Sequence, residues 1–235
     1  TYGRVPAWPA SPYGTLAHIG PMARTAADAA LLLDVISGFD SRDPWALAPV
    51  RDAEAAIGQA ITGKRIAVSR DLGYVDVDPE VAAAVTAAAE VFAGLGAHVE
   101  ETDPGFTDPI EAFETLWFSG AAKSLEHLGP EQRARMDPGL VEIAEQGARC
   151  TAVEYLRAMA VRNEMGIRMG EFHARHDLLL TPTLPITAFE IGVEVPSGWP
   201  HRRWTTWTPF TYPFNMTQQP AASVPCGFPR AGLPI

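Results

Sequence analysis

Cysteine, lysine and long apolar stretches are all scarce in this sequence. Its 235 residues include two cysteines, Cys150 and Cys226, too few for a disulfide framework and without the paired spacing of a metal site. No stretch approaches the roughly 20 consecutive apolar residues of a membrane span, and the first residues lack the regions of a signal peptide. We therefore expect a cytoplasmic protein that makes no membrane contact, with Cys226 buried in its apolar SVPCGF stretch.

Positive charge is scarce as well. The chain carries 18 Lys and Arg residues against 28 Asp and Glu, a net charge of -10, and its only lysines are Lys64 and Lys123. A protein of this charge repels phosphate backbones, and the arginines form no basic run. The sequence therefore argues against nucleic acid as a partner.

What is present is the composition of a globular protein. Hydrophobic residues make up 47% and charged residues 20%, which suffices for a real core at this length. Because no repeat, low-complexity tract or clear linker interrupts the chain, we expect a single domain over residues 1–235.

A strand, helix, strand pattern stands out in the first half. Residues 64–69 (KRIAVS) predict a short strand, and Asp78-Pro79-Glu80 is a typical helix opening, with an N-cap, a proline and an acidic first turn. The Ala-rich helix that follows should end at Gly94 or Gly96, and residues 97–102 should form a second strand. This order predicts a parallel βαβ unit and the α/β class.

Further helices are predicted from caps and apolar periodicity. Thr25 and Thr151 are each followed three residues later by an acidic residue, Asp28 and Glu154, as in capping boxes. They open predicted helices over 24–38 and 151–176; others are predicted over 52–61, 108–128 and 137–149, with a strand over 177–183 and an aromatic loop over 185–213.

Four blocks resemble the amidase signature family, hydrolases that cleave amides through a Ser, cis-Ser, Lys relay. They are TYGRVPAWPASPYGTLAHIGPMARTAADAALLLDVISG at 1–38, KRIAVSRDLG with its helix, HDLLLTPTLP, and PFNMTQQPAASVPCGFPRAGLPI at the end. The resemblance implies an α/β fold with a twisted mixed sheet covered by helices. It also implies that both serines, the lysine and the oxyanion loop precede such a segment, so we expect the C-terminal portion of an amidase domain, truncated at both ends and inactive alone.

The resemblance assigns substrate contacts but no catalytic residue to this chain. An aromatic helix and the loop before YPFN help line the acyl pocket in the family, which makes Trp117, Phe118, Trp207 and Thr208 the candidates; core packing competes for Trp117. The family's glutamine-using branch grips its substrate with an arginine and an aspartate, where this sequence has Ile143 and Thr208. We therefore expect a neutral, fairly apolar amide as substrate, with no cofactor.

Other interpretations stay open beside this one. The chain could be a noncatalytic subunit or interaction module that completes a separate N-terminal half, and self-association into a homo-oligomer is left open. His173, His176 and Asp177 form H-x-x-H-D at a helix end, but a third ligand pattern is missing and histidines there also favour the helix dipole. No metal is therefore expected, and the expected partners are a small amide and the N-terminal portion of the same protein.

Overall fold

The computed structural model describes residues 2–235, which divide into two compact units. The first comprises the described residues up to Gln59 together with Glu114–Met159 and Gln218–Pro220, and the second comprises Ala60–Phe113, Ala160–Thr217 and Ala221–Ile235. The prediction of one domain over 1–235 stays a prediction.

The second unit contains a three-stranded parallel sheet. Its strands are β1 (Arg65–Val68), β2 (His98–Glu101) and β3 (Leu178–Leu180), in the order β2-β1-β3. Ile66 pairs with Val99 on one side and with Leu178 on the other. The predicted βαβ unit is confirmed, whereas a mixed sheet was expected and the described strands are all parallel.

The helix that connects β1 and β2 begins where its sequence predicts. Helix α2 (Pro79–Gly94) is capped by the Asp78 side chain, which accepts a hydrogen bond from the Glu80 N–H at 2.7 Å. Its buried face, Val85 and Ala89, packs against Val68 of β1. Alternation of buried strand and amphipathic helix therefore builds the core of this unit, as expected of the α/β class.

The other long helices lie within their predicted ranges. They are α1 (Ala26–Ile36), α3 (Ile110–Leu125), α5 (Pro138–Gly147) and α6 (Ala152–Arg175). The Thr25 hydroxyl accepts from the Asp28 N–H at 3.1 Å, which confirms the N-cap, and Thr151 and Glu154 bond reciprocally, which confirms a full capping box. Short helices α4 (Pro130–Arg133) and α7 (Tyr212–Thr217) were not predicted.

The predicted helix over 52–61 is wrong in extent. The structure forms a single 3-10 turn, Ala53–Ala56, because Asp52 adopts a left-handed φ of 58° and Gly58 a φ of 78°. An α-helix cannot continue through a left-handed residue, so both ends of the segment are closed to helix extension.

Among the described residues, no helix combines the length and the apolar character that crossing a membrane would require. The buried apolar residues instead form compact clusters inside each unit.

Candidate functional site

In the first unit, the predicted pocket residue Trp117 lies against the N-terminal loop. Its ring and that of Tyr13 have centroids 4.3 Å apart and planes inclined by 33°. Tyr13 directly precedes the 3-10 turn Gly14–Leu16, and Gln218 donates from Nε2 to the Thr15 carbonyl at 3.2 Å. The N-terminal loop is thus packed on the helix that carries Trp117.

Two glycines allow this close packing. A Cβ built on Gly120 of α3 would lie 2.8 Å from Cα of Tyr13, nearer than real Cβ atoms come. A Cβ on Gly147, the last residue of α5, would overlap the carbonyl oxygen of Phe118. Both positions therefore exclude side chains, and α3 is held in backbone contact with its neighbours in this unit.

Phe118 faces the interior of the same unit. It is 2% exposed and belongs to a cluster with Ala121, Leu125, Ile143 and Ala144. Its contacts are those of a core residue, and its predicted contact with substrate stays a prediction. Ile143, at the position where the resemblance places the arginine of the glutamine-using branch, is 7% exposed and part of this apolar cluster.

In the second unit, Trp207 ends a 3-10 turn, Trp204–Trp207, within the aromatic loop. Its indole N–H donates to the Glu194 carbonyl at 3.0 Å, and its ring meets Phe189 edge-on at 5.5 Å. Trp207 is half-buried, so part of its ring is accessible. The loop is therefore ordered by its own aromatic side chains, as functional surface loops often are.

Thr208 is buried between two turns. Its hydroxyl donates to the Thr205 carbonyl at 2.9 Å, and its own carbonyl accepts from the Thr211 N–H at 3.0 Å. The threonine hydroxyl keeps a lone pair for a further donor. At this position the side chain is neutral, and its direction is fixed by the local turn.

Sequence reasoning missed the residues that hold the end of this loop. The Tyr212 hydroxyl donates to Oδ1 of Asp108 at 2.5 Å, and its ring stacks on Phe113 at 5.0 Å. The Tyr74 hydroxyl donates to the Pro209 carbonyl at 3.4 Å, and burial, helped by the negative charge of Asp108, raises the pKa of Tyr74 above its usual range. The sequence shows Asp108 at the start of a helix and Tyr212 at the end of an aromatic loop. Their spacing in the sequence does not indicate that they are in contact.

The H-x-x-H-D motif makes structural contacts. His176 is buried, with Nε2 2.5 Å from Glu100 Oε1 and Nδ1 3.2 Å from the Phe172 carbonyl. His173 Nδ1 lies 3.1 Å from the His176 carbonyl. Over residues 2–235, no group of three or more His, Cys, Asp or Glu side chains is arranged to hold a metal ion.

Asp177 joins the starts of two strands. Its carboxylate accepts from the Arg65 backbone N–H at 2.8 Å and forms an ion pair with the Arg65 guanidinium at 3.0 Å. The Arg65 side chain and then its backbone N–H lower the pKa of Asp177 to about 2. This carboxylate is therefore a charged anchor between β1 and β3.

One cysteine differs from expectation. Cys226 is exposed and not buried, because its apolar stretch runs along the surface, where the Cys226 N–H bonds the Ile235 carbonyl at 2.8 Å. A local run of apolar residues does not by itself set burial.

Comparison with known proteins assigns the family. The model of the Amidase family matches residues 1–235. The chain belongs to the amidase signature family, which confirms the resemblance noted above.

Individual relatives agree with this assignment. An acylamidase of Rhodococcus erythropolis is 37% identical over 93% of this chain and 47% of its own length. An amidase of Pseudomonas putida is 35% identical over 93% of this chain and 48% of its own length. The crystal structure of a bacterial aryl acylamidase of the amidase signature family superposes with a TM-score of 0.83 at 30% identity, covering 100% of this chain and 52% of the other. The chain thus spans about half the length of these relatives, and the α/β class is confirmed.

Proposed function

We propose that the chain forms part of an amidase that hydrolyses a neutral, fairly apolar carboxylic amide to an acid and an amine or ammonia. The observation that carries this proposal is the match of the family over residues 1–235, with a named acylamidase at 37% identity. In this proposal the nucleophilic serine, the bridging cis-serine and the lysine lie N-terminal to Thr1. The cytoplasm is proposed as the place of action.

The role proposed for this chain is scaffold and acyl-pocket wall. Trp117 and Phe118 contribute from α3, and Trp207 and Thr208 contribute from the aromatic loop. Large rings would favour an aryl or alkyl acyl group, because apolar burial yields about 25 cal/mol per Å². Trp117 and Trp207 are both half-buried, so each keeps ring surface available for such a contact.

The preference for a neutral amide rests on two side chains. Ile143 and Thr208 occupy the positions that the resemblance assigns to the substrate-binding arginine and aspartate of the glutamine-using branch, and both are 7% exposed. A charged substrate group that lost its water against an isoleucine and a threonine would find no counter-charge there, and unpaired charges are costly to desolvate. Neutral amides avoid this penalty.

A substrate panel tests this proposal in a polypeptide in which the remaining amidase sequence precedes this chain. We expect kcat/KM for a neutral aryl amide to exceed that for an isosteric carboxylate-bearing amide by about 100-fold, or about 2.7 kcal/mol. The variant Thr208→Asp should favour an ammonium-bearing amide relative to its matched neutral control, Thr208→Asn. Equal kcat/KM values for neutral and charged amides would overturn the proposal.

A second candidate function is that of a noncatalytic module that completes a separate N-terminal half. The observation that favours it is α1, an 11-residue helix with no buried residue. Its apolar residues Leu31 and Val35 are 57% and 70% exposed, and Met22, just before it, is 94% exposed. Exposed apolar residues grouped in this way mark interaction surfaces.

The occupant proposed for this surface is the N-terminal portion of an amidase polypeptide, since the relatives are about twice as long as the part they share with this chain. Titrating a separately expressed N-terminal portion into the chain should protect the amides of α1 from hydrogen exchange. Leu31→Gln with Val35→Gln should weaken this binding, whereas Val161→Gln, an exposed position on α6, should not. Binding that is unaffected by the α1 changes would exclude α1 as the docking surface.

A further inference from the structure

The segment that carries Trp207 and Thr208 is fastened to the start of α3 by a polar contact. Tyr212 is 1% exposed, and its hydroxyl donates to Asp108 Oδ1 at 2.5 Å. The same carboxylate oxygen accepts from the Ile110 N–H at 3.0 Å, in the first turn of α3. Asp108 therefore ties two parts of the chain that are 104 residues apart in sequence.

Aromatic packing surrounds this contact. The Tyr212 ring stacks on Phe113 with planes 19° apart, and Phe113 meets Trp204 edge-on at 6.5 Å. Stacking fixes the distance between ring and helix but lets rings slide within their plane. The hydrogen bond to a charged oxygen is directional and stronger than a neutral one, so it fixes the position of the segment relative to the start of α3.

The turns between Trp204 and Tyr212 connect the predicted pocket residues to the fixed position of Tyr212. The Thr208 carbonyl accepts from Thr211 N–H at 3.0 Å, and the Thr208 hydroxyl donates to the Thr205 carbonyl at 2.9 Å. These short turns link Thr208 directly to the anchored Tyr212. A shift of Tyr212 would therefore move Thr208 and Trp207 with it.

From these contacts we propose that Asp108 is a positioning residue, which acts through the Tyr212 hydroxyl to hold Trp207 and Thr208 in place for acyl-group binding. This inference rests on the proposed function, because it assumes that the two residues line the acyl pocket. Asp108 itself does not touch the substrate. Its effect is to keep the wall of the pocket ordered before substrate arrives.

Hydrogen exchange on the chain tests the anchor itself. Tyr212→Phe removes the hydroxyl and keeps the ring, so the amides of Thr208, Thr211 and Tyr212 should exchange about tenfold faster, while amides in α2 keep their rates. Asp108→Ala should have the same effect, and Asp108→Asn, which retains an acceptor, should restore most of the protection. Tyr155→Phe, an exposed tyrosine on α6, is the matched control and should change nothing.

Kinetics test the consequence in the polypeptide that includes the preceding amidase sequence. Tyr212→Phe should raise KM about tenfold for an aryl-acyl amide with kcat unchanged, and leave KM for the corresponding acetyl amide unchanged. Unchanged exchange rates, or an equal KM rise for both amides, would overturn the positioning role. Failure of the proposed function is seen separately, as an unsubstituted enzyme that does not hydrolyse neutral amides.

Discussion

The ring of Tyr13 lies on the ring of Trp117, with centroids 4.3 Å apart and planes inclined by 33°. This contact joins the Gly/Pro-rich N-terminal loop to helix α3, which lies far away in sequence. The contact therefore couples the N-terminal loop to the helix that carries the predicted pocket residue Trp117.

A double-mutant cycle measures this contact. Tyr13→Leu and Trp117→Leu keep an apolar side chain at each position and remove the ring pair, so urea unfolding of the cycle should give a coupling free energy of about 1 kcal/mol. Trp117→Leu combined with Val153→Ala, at an exposed position of α6, serves as the control and should be additive. A coupling indistinguishable from that control would mean that the rings contribute only their buried area.

The close approach of α5 to α3 predicts a sharp difference between two glycines. Gly147→Ala forces a Cβ onto the Phe118 carbonyl and should lower the free energy of unfolding by about 3 kcal/mol. Gly166→Ala, within α6, meets no atom within 4 Å and should raise it by about 1 kcal/mol through helix propensity. Equal effects of the two substitutions in urea denaturation would show that α5 does not approach α3 as described.

The Arg65–Asp177 pair predicts a specific pH dependence. The pKa of Asp177 is lowered to about 2 by the Arg65 side chain and backbone, against about 3.9 for an unperturbed Asp. Because the folded-state pKa is the lower one, the stabilising contribution is present above about pH 4 and is lost as pH falls towards 2. Asp177→Asn should lower the free energy of unfolding at about pH 7. It should also reduce the change of this free energy between about pH 4 and pH 2.

Asp40 provides the control for this experiment. Hydrogen bonds from the Arg42 side chain and backbone lower the pKa of Asp40 to about 2 as well, but the partners are two residues apart and can meet in the unfolded chain. Asp40→Asn should therefore leave the pH dependence of the free energy of unfolding nearly unchanged. An equally large reduction for both variants would contradict this distinction.

Polar substitutions in helices α1 and α2 should change the stability of the isolated chain to very different extents. Val35 on α1 is 70% exposed and Val85 on α2 is 3% exposed. Val35→Thr should change the unfolding free energy by less than about 0.5 kcal/mol, whereas Val85→Thr should lower it by about 2 kcal/mol. Thermal unfolding of the two variants checks this directly, and a large loss for Val35→Thr would show that α1 is covered within the chain itself.

The elements that the sequence predicts correctly are those with local causes. The Asp78 and Thr25 caps, the Thr151 capping box and the short strands depend on residues a few positions apart in the sequence. The turn at Asp52 and the exposure of Cys226 depend on backbone angles and on partners far away in sequence. Local patterns do not contain that information, so the predictions of a helix over 52–61 and of a buried Cys226 were wrong.

The candidate site follows the same rule. Trp117 and Trp207 were named from the resemblance, and no periodicity reveals that Trp117 rests on Tyr13 or that Trp207 bonds the Glu194 carbonyl. The Asp108–Tyr212 hydrogen bond is of the same kind, since it joins a helix start to a loop that is 104 residues away. Long-range pairs of this sort require coordinates.

The central claim is that this chain supplies pocket walls while the nucleophile and its proton acceptor lie in preceding sequence. The most direct test is the rate of hydrolysis of a neutral aryl amide by purified chain 1–235, measured alone and after addition of the N-terminal portion of the amidase. We predict a rate equal to buffer for the chain alone and turnover once the N-terminal portion is present. Turnover by the chain alone that survives repurification would contradict the claim.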